Sequence, residues 1–403
     1  MMTSKNQVQY FDNSTPPHIS TLILLTSLPA LAMSMFLPSL PSMASHFKTD
    51  YTTIQLSVSL YLGVSALLQL IISPLADRYG RRPVVLWSIA IFNIASLGCI
   101  FAPNVETFLF FRMLQATIAT CMALSRAVVR DMFPESQAAS MIGYVTMAMS
   151  ISPMLAPLLG GVFDTYAGWQ ANFWFMATVG ILLFFVVWRD MGETAPSTSK
   201  SLMAQMKQYP ELLGSRRFWG YCLCSTLSAG AYFAYLGGAP FVGGVLFSLN
   251  AIWLGLSFGA VSVGYMTGNF ISGRFSVRYG INKMVLAGTI ISVIGMLLSL
   301  LLFYMGAGSA GVFFGFMVLL GLGNGMVLPN ANAGMLSIKP ELAGSASGLG
   351  GAILLVGATI LSMLSGAMLS PQSGAFPLLW IMLLCSIFAL IAIIYVIKRE
   401  AKL

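Results

Sequence analysis

Residues Ser73–Pro83 read SPLADRYGRRP, a short charged stretch between two apolar runs at 53 to 75 and 83 to 102. Each run holds about 20 residues, the length that a helix needs to cross the hydrocarbon core of a bilayer. Gly80 permits a tight reversal of the chain, and the arginines around it favour a water-facing surface. The stretch therefore predicts a sharp turn between two transmembrane helices.

Similar apolar runs recur on both sides of this turn to the end of the chain. Of the 403 residues, 57% are hydrophobic and only 8% are charged, whereas a soluble domain carries about 25% charged residues. A water-soluble surface cannot be built from this composition. We predict twelve membrane spans, numbered in chain order, at 19–40, 53–75, 83–102, 106–130, 138–160, 171–188, 218–237, 252–273, 284–305, 311–334, 345–368 and 376–397.

Positive charge is distributed unequally between the two sides that these spans define. If the arginines of Ser73–Pro83 face the cytoplasm, 17 of the 20 Lys and Arg residues lie on that side. Arg112 and Arg126 fall within span 4, and only Lys48 lies outside. This asymmetry is the positive-inside rule. The net charge of +8 therefore indicates membrane orientation, with both termini cytoplasmic, and no nucleic acid partner is expected.

The longest polar stretch, 189 to 217, divides six spans from six. Arg78-Tyr79-Gly80 after span 2 recurs as Arg278-Tyr279-Gly280 after span 8, and Pro134-Glu135 after span 4 recurs as Pro340-Glu341 after span 10. Such echoes favour a duplicated six-helix unit. We therefore predict an N-terminal bundle at 1–188, a cytoplasmic central loop at 189–217 and a C-terminal bundle at 218–403.

The stretch Ser73–Pro83 resembles the signature of the loop between spans 2 and 3 in the major facilitator superfamily, with Ser73 in place of the usual Gly. The resemblance implies an all-α membrane fold of twelve helices, arranged as two pseudo-symmetric six-helix bundles with the substrate site between them. In that family Asp77 would latch the cytoplasmic gate against the N-terminus of span 11, near Gly344. The alternative is that the arginines only fix the topology. The gating motif comprises Asp77, Arg78, Gly80, Arg81 and Arg82.

Span 5 carries SPMLAPLLGG at Ser152–Gly161, which resembles the antiporter signature of drug exporters, with Ser152 and Ala156 replacing glycines. Small residues allow close helix packing, and proline permits a kink. Ordinary Gly and Pro usage in a membrane helix is the alternative. Beside the loop signature, the motif favours export over import. Its candidate residues are Pro153, Pro157, Gly160 and Gly161.

Span 4 places two arginines at membrane depth. Arg112 and Gln115 resemble the family's Arg-x-x-Gln-Gly element, with Ala116 in the Gly position. Arg126 lies about 21 Å further along the helix on nearly the same face. An arginine within the bilayer costs at least about 2.5 kcal/mol, so both are expected to face a cavity or a partner. Snorkelling towards either membrane surface is the alternative.

Four further segments resemble the Bcr/CflA group of bicyclomycin and chloramphenicol exporters, which work by proton antiport. One departure concerns the proton carrier, because Ser34 stands where relatives often have an acidic residue. No acidic residue lies in the middle of a span, so Asp131 and Asp77 are the carrier candidates. The segments are MFLPSLP at Met35–Pro41, SRAVVRD at Ser125–Asp131, APFV at Ala239–Val242 and AGSAS at Ala343–Ser347.

These observations predict a monomeric, multi-pass exporter of small organic molecules in the bacterial inner membrane, with protons and the bilayer as its other partners. The absence of deep acids favours neutral or anionic substrates. Uptake or exchange of a metabolite anion is the alternative. Neither a catalytic polar cluster, a metal site, a cofactor site nor an ATP-binding loop is found. The candidates for the substrate cavity are Met35, Tyr61, Arg112, Arg126, Met147, Tyr232, Tyr235, Tyr265, Asn269, Asn324 and Asn332.

Overall fold

A computed structural model describes residues 9–133, 141, 145, 152, 155–195, 209–338 and 342–401. Within these residues the regular elements are helices, and eleven of them are long and apolar enough to cross a membrane. The predicted span at 138–160 falls mostly outside the described residues, and its end forms a helix over 155–167. The twelve spans of the sequence analysis therefore correspond to helices α1 to α12.

The first six helices include two that are not regular throughout. These two contain irregular turns: α1 consists of Ile19–Ser34, a 3-10 turn at Leu37–Ser39 and Leu40–His46, and α4 contains a 3-10 turn at Ala116–Ala119. Their bounds are Ile19–His46 for α1, Tyr51–Tyr79 for α2, Arg81–Ile100 for α3, Val105–Met132 for α4, 155–167 for α5 and Gln170–Asp190 for α6.

The second six helices follow a five-residue helix at Tyr209–Leu213. The first of them ends in a π-helical turn at Phe241–Leu246. Their bounds are Arg216–Leu246 for α7, Ala251–Tyr279 for α8, Ile281–Tyr304 for α9, Ala310–Leu336 for α10, Ala343–Met368 for α11 and Phe376–Glu400 for α12. The division into two six-helix bundles stays a prediction.

The turns between α2 and α3 and between α8 and α9 have the same backbone geometry. Gly80 and Gly280 have φ angles of 99° and 84°, a region that glycine adopts without steric cost. Gly80 is also required for space, because a Cβ atom there would lie 2.3 Å from Oε2 of Glu193. We call the side of the molecule that carries these turns the basic face, and the side where α2 and α8 begin the far face.

Carboxylates bind polar groups at helix starts on the basic face. Glu193 accepts the backbone N–H groups of Arg81 and Arg82 at the start of α3, at 2.7 and 3.3 Å. In the second half, Glu400 at the end of α12 accepts from Asn282 and Arg217. Helix N-termini have unsatisfied N–H donors and a positive potential, so a carboxylate beside a helix start stabilises it.

Glycines bring α8 and α10 into backbone contact. A Cβ atom on Gly264 would lie 2.0 Å from the carbonyl oxygen of Val318, and one on Gly268 would lie 2.2 Å from that of Leu322. On α10, Gly321 and Gly325 meet the α8 backbone equally closely. Both helices thus carry glycines four residues apart on the contact face, which is the GxxxG pattern of close membrane helix pairs.

Candidate functional site

A cavity of about 280 Å³ lies near the middle of the molecule, between the helices of the first half and those of the second. Its walls come from α1, α2 and α4 on one side and from α7, α8, α10 and α11 on the other. The described lining residues are Pro29, Ala30, Met33, Tyr61, Leu62, Ser65, Gln69, Ala119, Met122, Ala229, Tyr232, Phe233, Ser262, Tyr265, Asn324, Leu328 and Leu355.

The described part of the cavity wall is mainly apolar and carries no formal charge. Two of its buried polar groups have no hydrogen-bond partner among the described residues: the Tyr61 hydroxyl and the Asn324 side chain, whose oxygen and nitrogen are both unpaired. Tyr61 and Asn324 are each 2% exposed. Buried polar groups in proteins are nearly always paired, so these two groups are suited to bind a ligand.

Arg112 lies behind this wall and has no exposed surface. Its guanidinium carbon is 4.2 Å from the ring centre of Phe36 and 4.3 Å from that of Tyr61. The side chain donates to the carbonyl oxygens of Ala32, at 2.8 Å, and Ser57, at 3.3 Å. Cation–π contacts and hydrogen bonds therefore hold the charge within the protein.

Gln115 completes the surroundings of Arg112. Its side-chain oxygen accepts from Arg112 at 2.7 Å, and its nitrogen donates to Ser96 Oγ at 2.7 Å. Gln115 is fully buried. The Arg112–Gln115 element thus joins α4 to α1, α2 and α3, and neither residue lies on the cavity surface.

One helical turn past the cavity, on the side of the basic face, two helices carry exposed residues. Met122 on α4 and Leu328 on α10 line the cavity, and residues four positions further on lie on the same helix face. Those residues are Arg126 and Asn332, and both are exposed. They have the same offset of 206 residues as the Pro-Glu echo, and each lies one turn closer to the basic face. Arg126 donates to the Met122 carbonyl at 3.2 Å.

Hydrogen bonds between the two halves close the molecule nearer the far face. Gln55 on α2 donates to the Ser362 carbonyl on α11 at 2.8 Å, and Ser59 Oγ lies 3.2 Å from Ser362 Oγ. Tyr51 donates to the Gly237 carbonyl of α7 at 2.7 Å. These groups are uncharged, so they can separate and reform without exposing a bare ion. We call Tyr51, Gln55, Ser59 and Ser362 the far seal.

The end of the antiporter motif packs between the halves at the same level. A Cβ atom on Gly161 would lie 2.1 Å from the Ala251 carbonyl oxygen of α8, and one on Gly255 would lie 2.4 Å from that of Pro157. Gly160 meets the Met35 carbonyl of α1 even more closely. The motif's glycines therefore fit α5 tightly against α1 and α8.

The gating motif forms contacts at the basic face. Arg81 pairs with Asp131 of α4 at 3.2 Å, and Arg82 donates to the Trp188 carbonyl of α6 at 2.9 Å. The guanidinium of Arg78 lies 5.4 Å from the ring centre of Tyr79. The side chain of Asp77 lies outside the described residues, so its contact with the start of α11 at Gly344 stays a prediction.

The other predicted cavity residues differ in their placement. Tyr232 and Tyr265 line the cavity, whereas Met35 and Tyr235 are buried in the protein core. Asn269 follows Tyr265 by one turn and donates to its carbonyl at 3.0 Å. Met147 and Pro153 lie outside the described residues. Helix packing explains the two core residues, as aromatic and Met side chains suit core and cavity alike.

Sequence reasoning missed the glycine contacts between α8 and α10, which set the position of Tyr265 and Asn324. The signal was present in the pairs Gly264–Gly268 and Gly321–Gly325. It also missed Gln69 and Ser262 in the cavity wall, for which polarity within an apolar helix was the only signal. Among the described residues no group of three or more His, Cys, Asp or Glu side chains could hold a metal ion.

A cavity between two sets of membrane helices is the arrangement expected of a polytopic membrane transporter. The family model described as the Major Facilitator Superfamily matches residues 22–349. The chain belongs to this superfamily, whose members are transporters and not enzymes.

Curated relatives confirm the resemblance to the Bcr/CflA type. The chain is 32% identical over 258 residues to the uncharacterized MFS-type transporter YdgK of Bacillus subtilis, a match that spans 62% of this chain and 64% of that protein. It is 29% identical to a chloramphenicol resistance protein of Pseudomonas aeruginosa, covering 89% and 86% of the two chains. A bicyclomycin resistance protein homologue of Haemophilus influenzae is 24% identical over 96% of this chain and 98% of that protein.

A solved structure shows the same fold. It is a bacterial homologue of the human lysosomal transporter Spinster in an inward-facing, unoccupied conformation. The TM-score is 0.71 at 16% sequence identity, with 94% of this chain and 95% of that chain covered. The major facilitator fold predicted from the sequence is therefore confirmed.

Proposed function

We propose that this transporter exports small organic molecules, drugs among them, across the bacterial inner membrane in exchange for protons. The observation that carries the proposal is the uncharged, mainly apolar cavity between the two halves. Such a wall suits neutral, amphipathic molecules. The relatives named for chloramphenicol and bicyclomycin resistance, and the multidrug transporter MdfA of Yersinia pestis, which is 29% identical over 66% of this chain, support the assignment.

The positive-inside rule assigns the basic face to the cytoplasm. In this orientation the cavity leads to the cytoplasm and the far seal separates it from the outside. An exporter in this state can take its substrate from the cytoplasm or the inner leaflet. Opening of the far seal, with closure at Arg126 and Asn332, then releases the substrate outside, which is alternating access.

Proton coupling requires a side chain that binds and releases a proton. The described cavity wall has no carboxylate, so we place the proton carrier outside it. Asp131 pairs with Arg81 at the basic face. Asp77 lies near the end of α2, four residues before Arg81. Protonation of Asp131 weakens its attraction to Arg81, which joins the start of α3 to the end of α4. Asp131 and Asp77 are therefore the proposed carriers.

Transport of a metabolite anion is the competing function. Exposed Arg126 at the mouth of the cavity favours it, because an anion entering from the basic face would meet this charge. Arg112 does not support it, since protein acceptors and two aromatic rings already occupy its guanidinium. The anion function thus depends on one arginine, whereas the whole described wall suits a neutral molecule.

Purified protein in proteoliposomes tests the proposal. With an inward pH gradient and a pH-sensitive dye in the lumen, we expect addition of chloramphenicol to cause proton flux in wild-type vesicles. Asp131→Asn should still bind the compound but should lose the substrate-dependent flux, because it cannot carry a proton. Glu106→Gln is the control, since Glu106 is an exposed carboxylate at the far face.

Two outcomes would contradict the proposal. Movement of radiolabelled compound without proton flux would overturn the proton coupling, whereas the assignment as a transporter would stand. Flux driven by small carboxylates, with none for neutral compounds, would overturn the substrate class and support the anion function.

A further inference from the structure

One side chain of the cavity wall has polar atoms without a partner. Asn324 on α10 is 2% exposed, and neither its amide oxygen nor its amide nitrogen has a hydrogen-bond partner among the described residues. Asn330, six residues further along the same helix, is also buried, yet it donates to Ser272 Oγ and to the Met326 carbonyl, both at 2.8 Å. The helix therefore pairs one buried asparagine and leaves the other unpaired at the cavity.

The backbone around Asn324 cannot move easily to bring its unpaired amide to a hydrogen-bond partner. Gly321 and Gly325 enclose it in sequence, and Cβ atoms on them would lie 2.0 and 2.3 Å from the carbonyl oxygens of Val261 and Tyr265 on α8. This backbone contact fixes α10 against α8. An unpaired buried amide costs about 1 to 3 kcal/mol, so its retention at a rigid position on the cavity wall points to a ligand.

A second unpaired group approaches the cavity from the other half. The Tyr61 hydroxyl of α2 is buried without a partner, and the Arg112 guanidinium lies 4.3 Å from the Tyr61 ring centre. A cation against an aromatic ring draws electron density from it, which makes the phenol a stronger hydrogen-bond donor. One half of the molecule therefore offers a donor, and the other offers a donor and an acceptor together.

We propose that Asn324 is a specificity-determining residue that pairs with the N–H and C=O of a neutral lactam or primary amide on a mainly apolar ligand. Such groups present a donor and an acceptor on one edge, which matches the edge of the Asn324 amide. Tyr61 donates to the same ligand from the opposite wall. The inference rests on the proposed function only in taking this cavity as the ligand site.

Two isosteric probes, 2-quinolinone and coumarin, isolate this contact. Both are neutral, planar and small enough for the cavity, and they differ in a lactam N–H against a lactone oxygen. Equilibrium dialysis with purified wild-type protein should show 2-quinolinone binding about tenfold more tightly, as expected for one buried hydrogen bond. In Asn324→Leu the preference should disappear, because neither probe then has an amide to pair with, and both should still bind through the apolar wall.

Stability measurements and a neighbouring variant serve as controls. Without ligand, Asn324→Leu should melt at or above the wild-type temperature because no hydrogen bond is lost, whereas Asn330→Leu should melt lower. Leu328→Ala, one turn further on, should weaken both probes equally and keep their ratio. Asn324→Ala repeats the test with a smaller side chain if the leucine variant does not fold.

Equal wild-type affinities for the two probes would overturn the proposal, as would a preference that survives in Asn324→Leu and Asn324→Ala. The binding assay also separates this inference from transport. A probe preference in a protein without transport would overturn the proposed function alone, and transport without a probe preference would overturn only the role of Asn324.

Discussion

At the scale of single residues, Arg112 shows how a charge can be buried without an acidic contact among the residues that the structure describes. The first helical segment of α1 ends at Ser34, because Pro38 has no N–H to donate four residues back. Ala32 is therefore in the last turn, where carbonyl oxygens lack helical donors, and its oxygen accepts from Arg112 at 2.8 Å. The free carbonyl oxygen at the break in α1 thus gains a donor, and the buried arginine of α4 gains an acceptor.

This arrangement predicts that lysine cannot replace arginine at position 112. Arg112→Lys keeps the charge but loses the planar fork that reaches Ala32, Ser57 and Gln115 in different directions. With at least two acceptors left unpaired, we expect the melting temperature of the detergent-purified protein to fall by roughly 4 °C or more.

Arg126→Lys is the matched control for this prediction. Arg126 lies on the same helix and is exposed, with one hydrogen bond to Met122. The melting temperature of the Arg126→Lys variant should therefore equal that of the wild-type protein. Equal stability of the two lysine variants would contradict the structural role of Arg112.

Single residues were predicted with uneven success, for a physical reason. The cost of burying a charge led us to expect a cavity or a partner at Arg112. Its contacts are Gln115, two backbone carbonyls and two aromatic rings, and no side-chain motif reveals the carbonyls and the rings. Tyr232, Tyr265 and Asn324 were expected at the cavity and line it. Met35 and Tyr235 were chosen on the same grounds and lie in the core, because which way a helix face points depends on its neighbours.

At the scale of helices, small residues decide which pairs touch. The α8–α10 pair meets through four glycines, and α5 meets α8 through Gly161 and Gly255. The first contact lies within one half, while the second joins the halves beside the far seal. Motion between the halves must therefore separate α5 from α8, whereas α8 and α10 can move together.

The α5–α8 contact predicts that a large side chain at Gly255 will open the far face. In Gly255→Leu the new side chain would clash with the Pro157 carbonyl, since even a Cβ atom would lie 2.4 Å from it. We expect several-fold faster labelling of a Ser59→Cys reporter in the far seal by an impermeant maleimide. The native cysteines of the described residues are all buried, so they should contribute little background.

Gly259→Leu, one turn further along α8, tests whether the effect belongs to the contact. A Cβ atom there has no neighbour within 4 Å, so the labelling rate should match that of the parent. If Gly255→Leu also labels at the parental rate, the α5–α8 contact does not keep the far face closed.

Helices themselves were the part of the fold most open to prediction. Apolar length predicted eleven of the spans, with ends that differ from the helix ends by up to nine residues, while most of span 5 lies outside the described residues. Gly80 and Gly280 lie at the turns on the basic face. The irregular turns at Ala116–Ala119 and Phe241–Leu246 were not predicted. Their residues are as apolar as those around them, and hydropathy does not distinguish an α-helical turn from a 3-10 or π-helical one.

At the scale of the whole molecule, three paired carboxylates lie away from the cavity. Glu193, Asp131 and Glu400 all act at the basic face, where they bind helix starts or arginines. The cavity wall has no formal charge in its described part. Among the described residues, the far seal joins the two halves through uncharged hydrogen bonds, which suits movement between two states.

The uncharged wall has an electrical consequence. If a neutral molecule leaves as a proton enters, each cycle moves one positive charge inwards, and a membrane potential contributes about 2.3 kcal/mol per 100 mV. We expect a potassium diffusion potential, negative on the cytoplasmic side, to accelerate export of a neutral compound in oriented vesicles without any pH gradient. An unchanged rate would mean that the cargo carries a compensating charge or that no proton moves. The membrane potential of a cell, which is negative inside, would then drive export of such compounds even where the pH is equal on both sides of the membrane.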